Sequence, residues 1–387
     1  MRLVTILGAS GSIGKNAIEF LRLHRKDFTL CNVAFKADWQ TALQLCAEFN
    51  CRAVSFADPI AAETFAIHCR QADVSVLSGP EGAVELASEP VDVVLAAISG
   101  SSGLAPVLAA VRAGNRVALA NKEALVCGGT ALLDLARSNG STIIPVDSEH
   151  SAMYQCLLAG NRHEVGSLLL TASGGPFRTS TIGEMRVATR EQAMNHPNWS
   201  MGVKNTIDSA TLANKGLELI EAAYFFQCDE SDIDVVINPS SILHSAVCFR
   251  DGSMVAQLGR PDMRVAIGYG LSWPDRLTTG VETLSLSDLR RLDFEDVDLE
   301  KFRCLSLARS ALRIAGDGPM LFNAANEVAV AAFMSGRLGL LDIAGLIEEC
   351  LEQGAGRFTG SLDETPALAA EAMHFCRSEF EAMADLV

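Results

Sequence analysis

From residue 3 to about residue 145, short β-branched runs alternate with stretches whose apolar residues recur at helical spacing. The runs are Leu3–Leu7, Thr29–Ala34, Arg52–Ser55, Val74–Leu77, Asp92–Ala97, Arg116–Leu119 and Thr142–Pro145. Ile13–His24 and Thr41–Phe49 carry the helical period between them. Strand and helix in strict alternation predict an α/β domain over residues 1–146, a doubly wound, Rossmann-like parallel sheet.

The rhythm breaks after residue 146. Over 147–274, polar and glycine-containing segments lead to a strong helix at Asp208–Phe226. Three strand-like runs follow, Ile233–Asn238, His244–Arg250 and Met254–Leu258, whose short connections predict antiparallel pairing in a central α+β domain. Residues 173–204 carry Gly174, Gly175, Pro176 and Pro197 with little apolar period, and read as a mobile flap. Residues 275–297 read as a linker arm. From 298 to 387 the pattern is helical, with Phe302–Ile314, Pro319–Met334, Leu341–Leu351 and Pro366–Met383 predicting a C-terminal helical bundle.

A formal net charge of −16 argues against nucleic acid as a partner, because phosphate-backbone binding rests on clustered Lys and Arg. No run approaches the ~20 apolar residues that span a bilayer, so no membrane is expected. Met1 leads within seven residues into a glycine loop, so no signal peptide is expected. The eleven cysteines lack a Cys-x-x-Cys pair and sit in apolar patterns, as buried reduced thiols would. A cytoplasmic location is expected.

The chemistry begins at Gly8-Ala9-Ser10-Gly11-Ser12-Ile13-Gly14, which follows the first strand and opens the first helix. In that setting Gly8 permits the turn, Gly11 admits a pyrophosphate to the backbone amides, and Gly14 lets helix pack on strand. The end of the second strand, where dinucleotide enzymes read the ribose, is Lys36-Ala37-Asp38. Lys36 favours a 2′-phosphate, while Asp38 either disfavours it or caps the next helix.

Asp147 and Glu149 end the last strand of the first domain, two apart, and so project to one side. They offer hard oxygen ligands for Mg²⁺ or Mn²⁺, although helix capping by Asp147 or Ser148 explains the same residues. Asn214, Lys215 and Glu218 share a helical face, as metal and phosphate ligands or as a solvated Lys–Glu pair. Ser173, Ser209, Asn214 and Lys215 form a donor set suited to a phosphate monoester. His196, Trp199 and Met201 crowd into the flap as a lid would.

Taken together, Gly8–Gly14, Asn121-Lys122-Glu123, Asp147-Ser148-Glu149-His150, Ser173–Phe177, His196–Gly202 and Asn214–Glu218 resemble the 1-deoxy-D-xylulose 5-phosphate reductoisomerases in order and spacing. Asn238–His244, Gln257–Met263 and Asn323–Glu327 extend the similarity over almost the whole chain. The resemblance implies a homodimer that takes a sugar phosphate, NADPH and Mg²⁺, Mn²⁺ or Co²⁺, with 147–274 as the catalytic and dimerisation domain. It implies Asp147, Glu149 and Glu218 as metal ligands, and Lys122, Glu149 and His196 as catalytic residues. Substrate contacts would come from Lys122, Ser148, Glu149, Ser173, His196, Trp199, Met201, Ser209, Asn214, Lys215 and Glu218. Cofactor contacts would come from Gly8, Ser10, Gly11, Ser12, Ile13, Lys36, Ala37, Asp38, Asn121, Glu123 and Gly202. Two departures from the family pattern are Lys36-Ala37-Asp38, where a small or basic residue followed by Asn is usual, and Ser10 in place of Thr.

Two rivals remain at the level of sequence. An NADP-dependent semialdehyde dehydrogenase shares such a glycine loop but needs a reactive Cys beside a base, a setting that Cys127 and Cys156 lack. A regulatory protein that binds NADP(H) without turnover would have no use for three acids and a phosphate donor set.

Overall fold

The computed structural model describes residues 1–384 apart from Gln71, Ala72, Ser200 and Ala315. The chain divides into two compact units, one made of Met1–Ala124, Ala131–Ser151 and Asp262–Glu282, the other of Leu125–Thr130, Ala152–Pro261 and Thr283–Val387.

The first unit alternates strand and helix in order. The strands are β1 (Arg2–Leu7), β2 (Phe28–Phe35), β3 (Ala53–Phe56), β4 (Ser75–Ser78), β5 (Val93–Ala96), β6 (Arg116–Leu119) and β7 (Ile143–Pro145). The helices are α1 (Ser12–Leu23), α2 (Trp39–Phe49), α3 (Pro59–His68), α4 (Pro80–Ser88), α5 (Leu104–Arg112), α6 (Lys122–Ser138) and α7 (Ser148–Cys156), the last two running on into the second unit. Every strand pairing is parallel, in the order β4-β3-β2-β1-β5-β6-β7. The seven strands fall within two residues of the predicted runs at each end. Buried runs such as Val93–Ala96 show why, since a strand covered on both faces is apolar throughout. Because the chain winds outward from β1 in one direction and from β5 in the other, the carboxyl ends of these neighbours form the switch point where such sheets bind ligands.

One segment assigned by sequence to the central domain belongs here instead. The helix Met263–Ser272, numbered α12 in chain order, packs on α1, β6 and β7, with Ile267 and Leu271 in the first unit's core. Glycines permit the approach: a Cβ on Gly268 would lie 2.9 Å from Phe20, and one on Gly270 would lie 3.0 Å from Val146.

The second unit holds a mixed sheet in the order β11-β10-β8-β9-β12. Its strands are β8 (Val165–Ala172), β9 (Ile233–Ile237), β10 (Leu243–Phe249), β11 (Met254–Leu258) and β12 (Glu295–Asp296). The expected antiparallel meander is corrected in one respect. β10 pairs antiparallel with β11 and β8, but β9 lies parallel to β8. β8 hides in a stretch that reads as polar and glycine-rich, and β12 lies within the presumed linker arm.

The helices of this unit are α8 (Ile182–Arg186), α9 (Arg190–Ala193), α10 (Val203–Thr211), α11 (Ala213–Phe226), α13 (Leu286–Leu289), α14 (Arg303–Arg313), α15 (Gly318–Met334), α16 (Asp342–Gly354) and α17 (Thr365–Ala384). The single helix predicted over Asp208–Phe226 is two, broken where Leu212 takes left-handed geometry (φ 56°) between α10 and α11. α14–α17 lie within three residues of their predicted spans and make up the expected helical C-terminal part, whose core is shared with α10 and α11. Phe302, Leu321 and Phe322 share one core with Ile207, Ala210 and Leu217. The flap is not structureless either: α8 and α9 each carry a capping box, and Phe177, Met185 and Ala193 are buried in that core. Among the described residues, no helix is long and apolar enough to cross a membrane.

Candidate active site

The glycine loop joins β1 to α1 as its spacing requires. Gly8 has φ +89°, and a Cβ there would lie 2.6 Å from the Ala97 carbonyl oxygen at the end of β5. A Cβ on Gly14 would lie 2.5 Å from the Gly8 oxygen and 2.6 Å from the Ala9 backbone, so helix and turn touch without room for a side chain. At Gly11 the nearest neighbour of a Cβ would be 3.4 Å away, and no side chain caps the first turn of α1. The amides of Ser12 and Ile13 at this helix start are therefore open to an anion, with Ser10 half-buried beside them.

Asp38 resolves as the helix cap, accepting from the Thr41 amide at 3.1 Å, and Lys36 and Ala37 are exposed at the end of β2. Asn121 is buried and fixes the turn after β5. Its Nδ2 donates to the Ile98 and Gly100 carbonyls at 2.5 and 2.9 Å, and its Oδ1 caps α6 through the Ala124 amide. Glu123 Oε2 accepts from the same Nδ2 at 3.2 Å. Sequence reasoning missed the Ile98–Gly103 turn that Asn121 holds. The signal was present as a Gly-Ser cluster directly after a buried strand.

Asp147 and Glu149 owe nothing to strand alternation, which corrects the expectation. β7 ends at Pro145, and the two acids sit at the first turn of α7, where the helix dipole favours negative charge. Lys122 Nζ lies 2.8 Å from Asp147 Oδ2, and both side chains are largely buried. His150, fully buried, places Nδ1 3.6 Å from Asp147 Oδ1. Burial pushes the Asp147 carboxyl up, but the Lys122 ammonium and His150 outweigh it and hold the group well below the usual carboxylate range. Among the described residues, no donor lies within 3.5 Å of Asp147 Oδ1, His150 Nδ1 standing just beyond that distance. The Ser148 hydroxyl donates to Glu149 Oε2.

In the second unit, Ser173 follows β8 directly. Its Oγ lies 3.0 Å from His196 Nε2 and accepts from the Gly175 amide at 3.1 Å. His196 Nδ1 accepts from the amides of Asn198 (3.2 Å) and Trp199 (2.9 Å). Only a neutral ring protonated on Nε2 satisfies these contacts, and burial lowers the His196 pKa in the same sense. With both Ser173 lone pairs engaged, the serine proton is free to point at a ligand. Gly175 (φ +63°) approaches the Ser209 carbonyl so closely that a Cβ would lie 2.5 Å from it. That contact brings the Ser173 turn to the end of α10, where Ser209 is nearly buried.

Asn214 Nδ2 and Lys215 Nζ both donate to Glu218, one to each carboxylate oxygen. Lys215 and Glu218 are buried, which removes the solvated surface pair as an explanation. Trp199 lies 6.4 Å from the His244 ring, Met201 is half-buried, and Gly202 is exposed at the start of α10. Asp147 and Glu149 at the start of α7 in the first unit, and Glu218 on α11 in the second, are acids that could each offer one carboxylate oxygen to a metal. A thiol nucleophile gains no support at Cys156, which is buried and whose thiol burial pushes up to about 11.

Comparison with known proteins agrees along the whole chain. The family model for 1-deoxy-D-xylulose 5-phosphate reductoisomerase matches residues 4–129, and those for its C-terminal domains match 143–226 and 258–375. The 1-deoxy-D-xylulose 5-phosphate reductoisomerase of Dechloromonas aromatica is 46% identical over 379 residues, covering 96% of this chain and 95% of that protein. The protein of that name from a Geobacillus species is 44% identical, covering 98% and 100%. A crystal structure of DOX-P reductoisomerase in complex with NADPH, fosmidomycin and magnesium superposes with a TM-score of 0.93 at 38% identity, over 99% of each chain. The Zymomonas mobilis enzyme in complex with NADPH gives 0.92 at 39%, over 98% of this chain and 99% of that one. On this agreement in sequence and fold, the chain belongs to the 1-deoxy-D-xylulose 5-phosphate reductoisomerase family.

Proposed function

We propose that the chain converts 1-deoxy-D-xylulose 5-phosphate to 2-C-methyl-D-erythritol 4-phosphate with NADPH and a divalent metal, a step of non-mevalonate isoprenoid precursor synthesis. The observation that supports this reading is the family match over almost the whole chain, with Asp147, Glu149 and Glu218 as the acids that would hold the metal. Carboxylate oxygens suit Mg²⁺ or Mn²⁺, and a cation would give the largely buried Asp147 Oδ1 a partner closer than His150 Nδ1 at 3.6 Å. When bound, the ion supplies Lewis-acid stabilisation of charge on substrate oxygens, and NADPH supplies the hydride.

The chain's own residues bind and orient. The amides of Ser12 and Ile13 with Ser10 and Gly11 hold the pyrophosphate, and exposed Lys36 meets the 2′-phosphate while Asp38 is occupied as a cap. Asn121, Glu123 and Gly202 complete the cofactor contacts. Lys122 and Ser148 face the sugar, Lys122 adding positive charge at the reacting end. Ser173, Ser209, Asn214 and Lys215 take the phosphate, which gives the Ser173 proton its acceptor. His196, Trp199 and Met201 cover the substrate and exclude water, so energy from the phosphate end is used in closure. The working form is a homodimer in the cytoplasm.

The test is NADPH absorbance with 1-deoxy-D-xylulose 5-phosphate, followed by NMR of the product. Consumption of NADPH with formation of the branched skeleton is expected. No consumption, or an unbranched product, would overturn the reading.

A further inference from the structure

The motif Asn238-Pro239-Ser240-Ser241 has no role in the site so far, yet the flap tip is fastened to it. β8 and β9 run parallel with Ala172 opposite Ile237, so Ser173 and Asn238 leave the sheet side by side. β10 runs antiparallel to β8, which places His244 at the same edge. The flap departs from β8 and returns its tip to this edge at three neighbouring points. His196 meets Ser173 at 3.0 Å, Trp199 faces His244, and Asn198 lies between them. Asn198 Nδ2 donates to the Pro239 carbonyl at 2.7 Å and to Ser241 Oγ at 2.8 Å.

The turn that receives Asn198 is rigid. Asn238 is fully buried, and its amide donates to the Ala172 carbonyl at 2.7 Å. Its Oδ1 accepts from Ser240 Oγ and the Leu243 amide, and its Nδ2 donates to the Asp293 carbonyl. Ser241 itself is held at φ 54°, a conformation non-glycine residues seldom adopt, and this turns its hydroxyl towards Asn198.

We infer that Asn198 and Ser241 form a clasp that positions His196 and Trp199 over the sugar phosphate, a role that rests on the function proposed above. Asn198 acts through the backbone amide it shares with His196 Nδ1, so losing the clasp frees the imidazole and the Trp199 ring together.

The test compares Asn198→Ala, Asn198→Asp, Ser241→Ala and the double variant Asn198→Ala/Ser241→Ala. All are measured as the full chain with NADPH and Mg²⁺, against 1-deoxy-D-xylulose 5-phosphate. Loss of two hydrogen bonds is expected to raise KM for the sugar phosphate about tenfold, to change kcat by less than about threefold, and to leave KM for NADPH within about twofold. Asn198→Asp keeps the shape but faces the Pro239 carbonyl with an acceptor, so it should fare no better than Asn198→Ala. Adding Ser241→Ala to Asn198→Ala should cost less than it does alone. A wild-type KM in Asn198→Asp, or strict additivity in the double variant, would overturn the clasp. A wild-type chain that consumes no NADPH with this substrate would overturn the proposed function and the clasp with it, whereas active wild type with equally active variants would overturn the clasp alone.

Discussion

Lys122 Nζ and Asp147 Oδ2 are 2.8 Å apart, with 7% and 15% of the two side chains exposed. A pair this far from water is harmful to break, since the remaining charge stays buried without its partner. Lys122→Met should lower the stability of the metal-free protein at pH 7 by about 3 kcal/mol, the lower end of the usual range for a broken buried pair. The Asp147 carboxyl is depressed in the folded state, so the stability it contributes is present above its unfolded value of about 3.9 and is lost as pH falls below that. Urea unfolding at pH 7 and near pH 3, below the unfolded carboxyl value of about 3.9, checks both points. The difference between wild type and variant should shrink at the lower pH, and a constant difference would count against the pair.

His196 is neutral in the observed arrangement because two backbone amides donate to its Nδ1. Its folded pKa is lowered by burial, so the stability the neutral ring contributes is present above the unfolded histidine value of about 6.5 and is lost as pH falls through the lower folded value. Protonation of Nδ1 must break the bonds to Asn198 and Trp199 together. KM for the sugar phosphate should therefore rise as pH drops from 7 to 5, with KM for NADPH changing less. A flat KM profile in that window would contradict the assigned tautomer.

Gly175 cannot accept a side chain for two separate reasons. Its φ of +63° is strained for any L-residue by about 1–2 kcal/mol, and a Cβ would press on the Ser209 carbonyl. Gly175→Ala should lower Tm and weaken sugar phosphate binding together, because the clash shifts Ser209 relative to Ser173. Gly183→Ala, inside α8 where a Cβ would meet only Thr181 Oγ1 at an ordinary 3.9 Å, is the control and should lower neither.

The sheet of the first unit was legible because its strands are buried on both faces and its helices carry their own period. Neighbouring letters therefore report each element, and Val93–Ala96 needs no knowledge of its partner to be read. The second unit was less legible because pairing there depends on distant residues. Nothing local to Ile233–Ile237 announces that it lies parallel to Val165–Ala172, sixty-odd residues earlier. The break at Leu212 was equally hidden, since a leucine in left-handed geometry leaves no compositional mark. Among site residues, the glycine loop and the Asn214–Glu218 turn were readable from spacing, whereas the capping role of Asp38 required the backbone of α2. Of the two placements the spacing offers for Asp147 and Glu149, a strand end and a helix start, the structure has the helix start.

The most direct test of the metal assignment is Mn²⁺ binding by the full chain, followed by electron paramagnetic resonance, for wild type, Asp147→Asn and Glu218→Gln. One tight site per chain is expected in wild type, weakened at least about tenfold in each variant while NADPH binding is retained, as loss of one charged ligand from a three-carboxylate site requires. Equal Mn²⁺ affinity in wild type and Glu218→Gln would contradict the assignment of Glu218 to the ion held by Asp147 and Glu149.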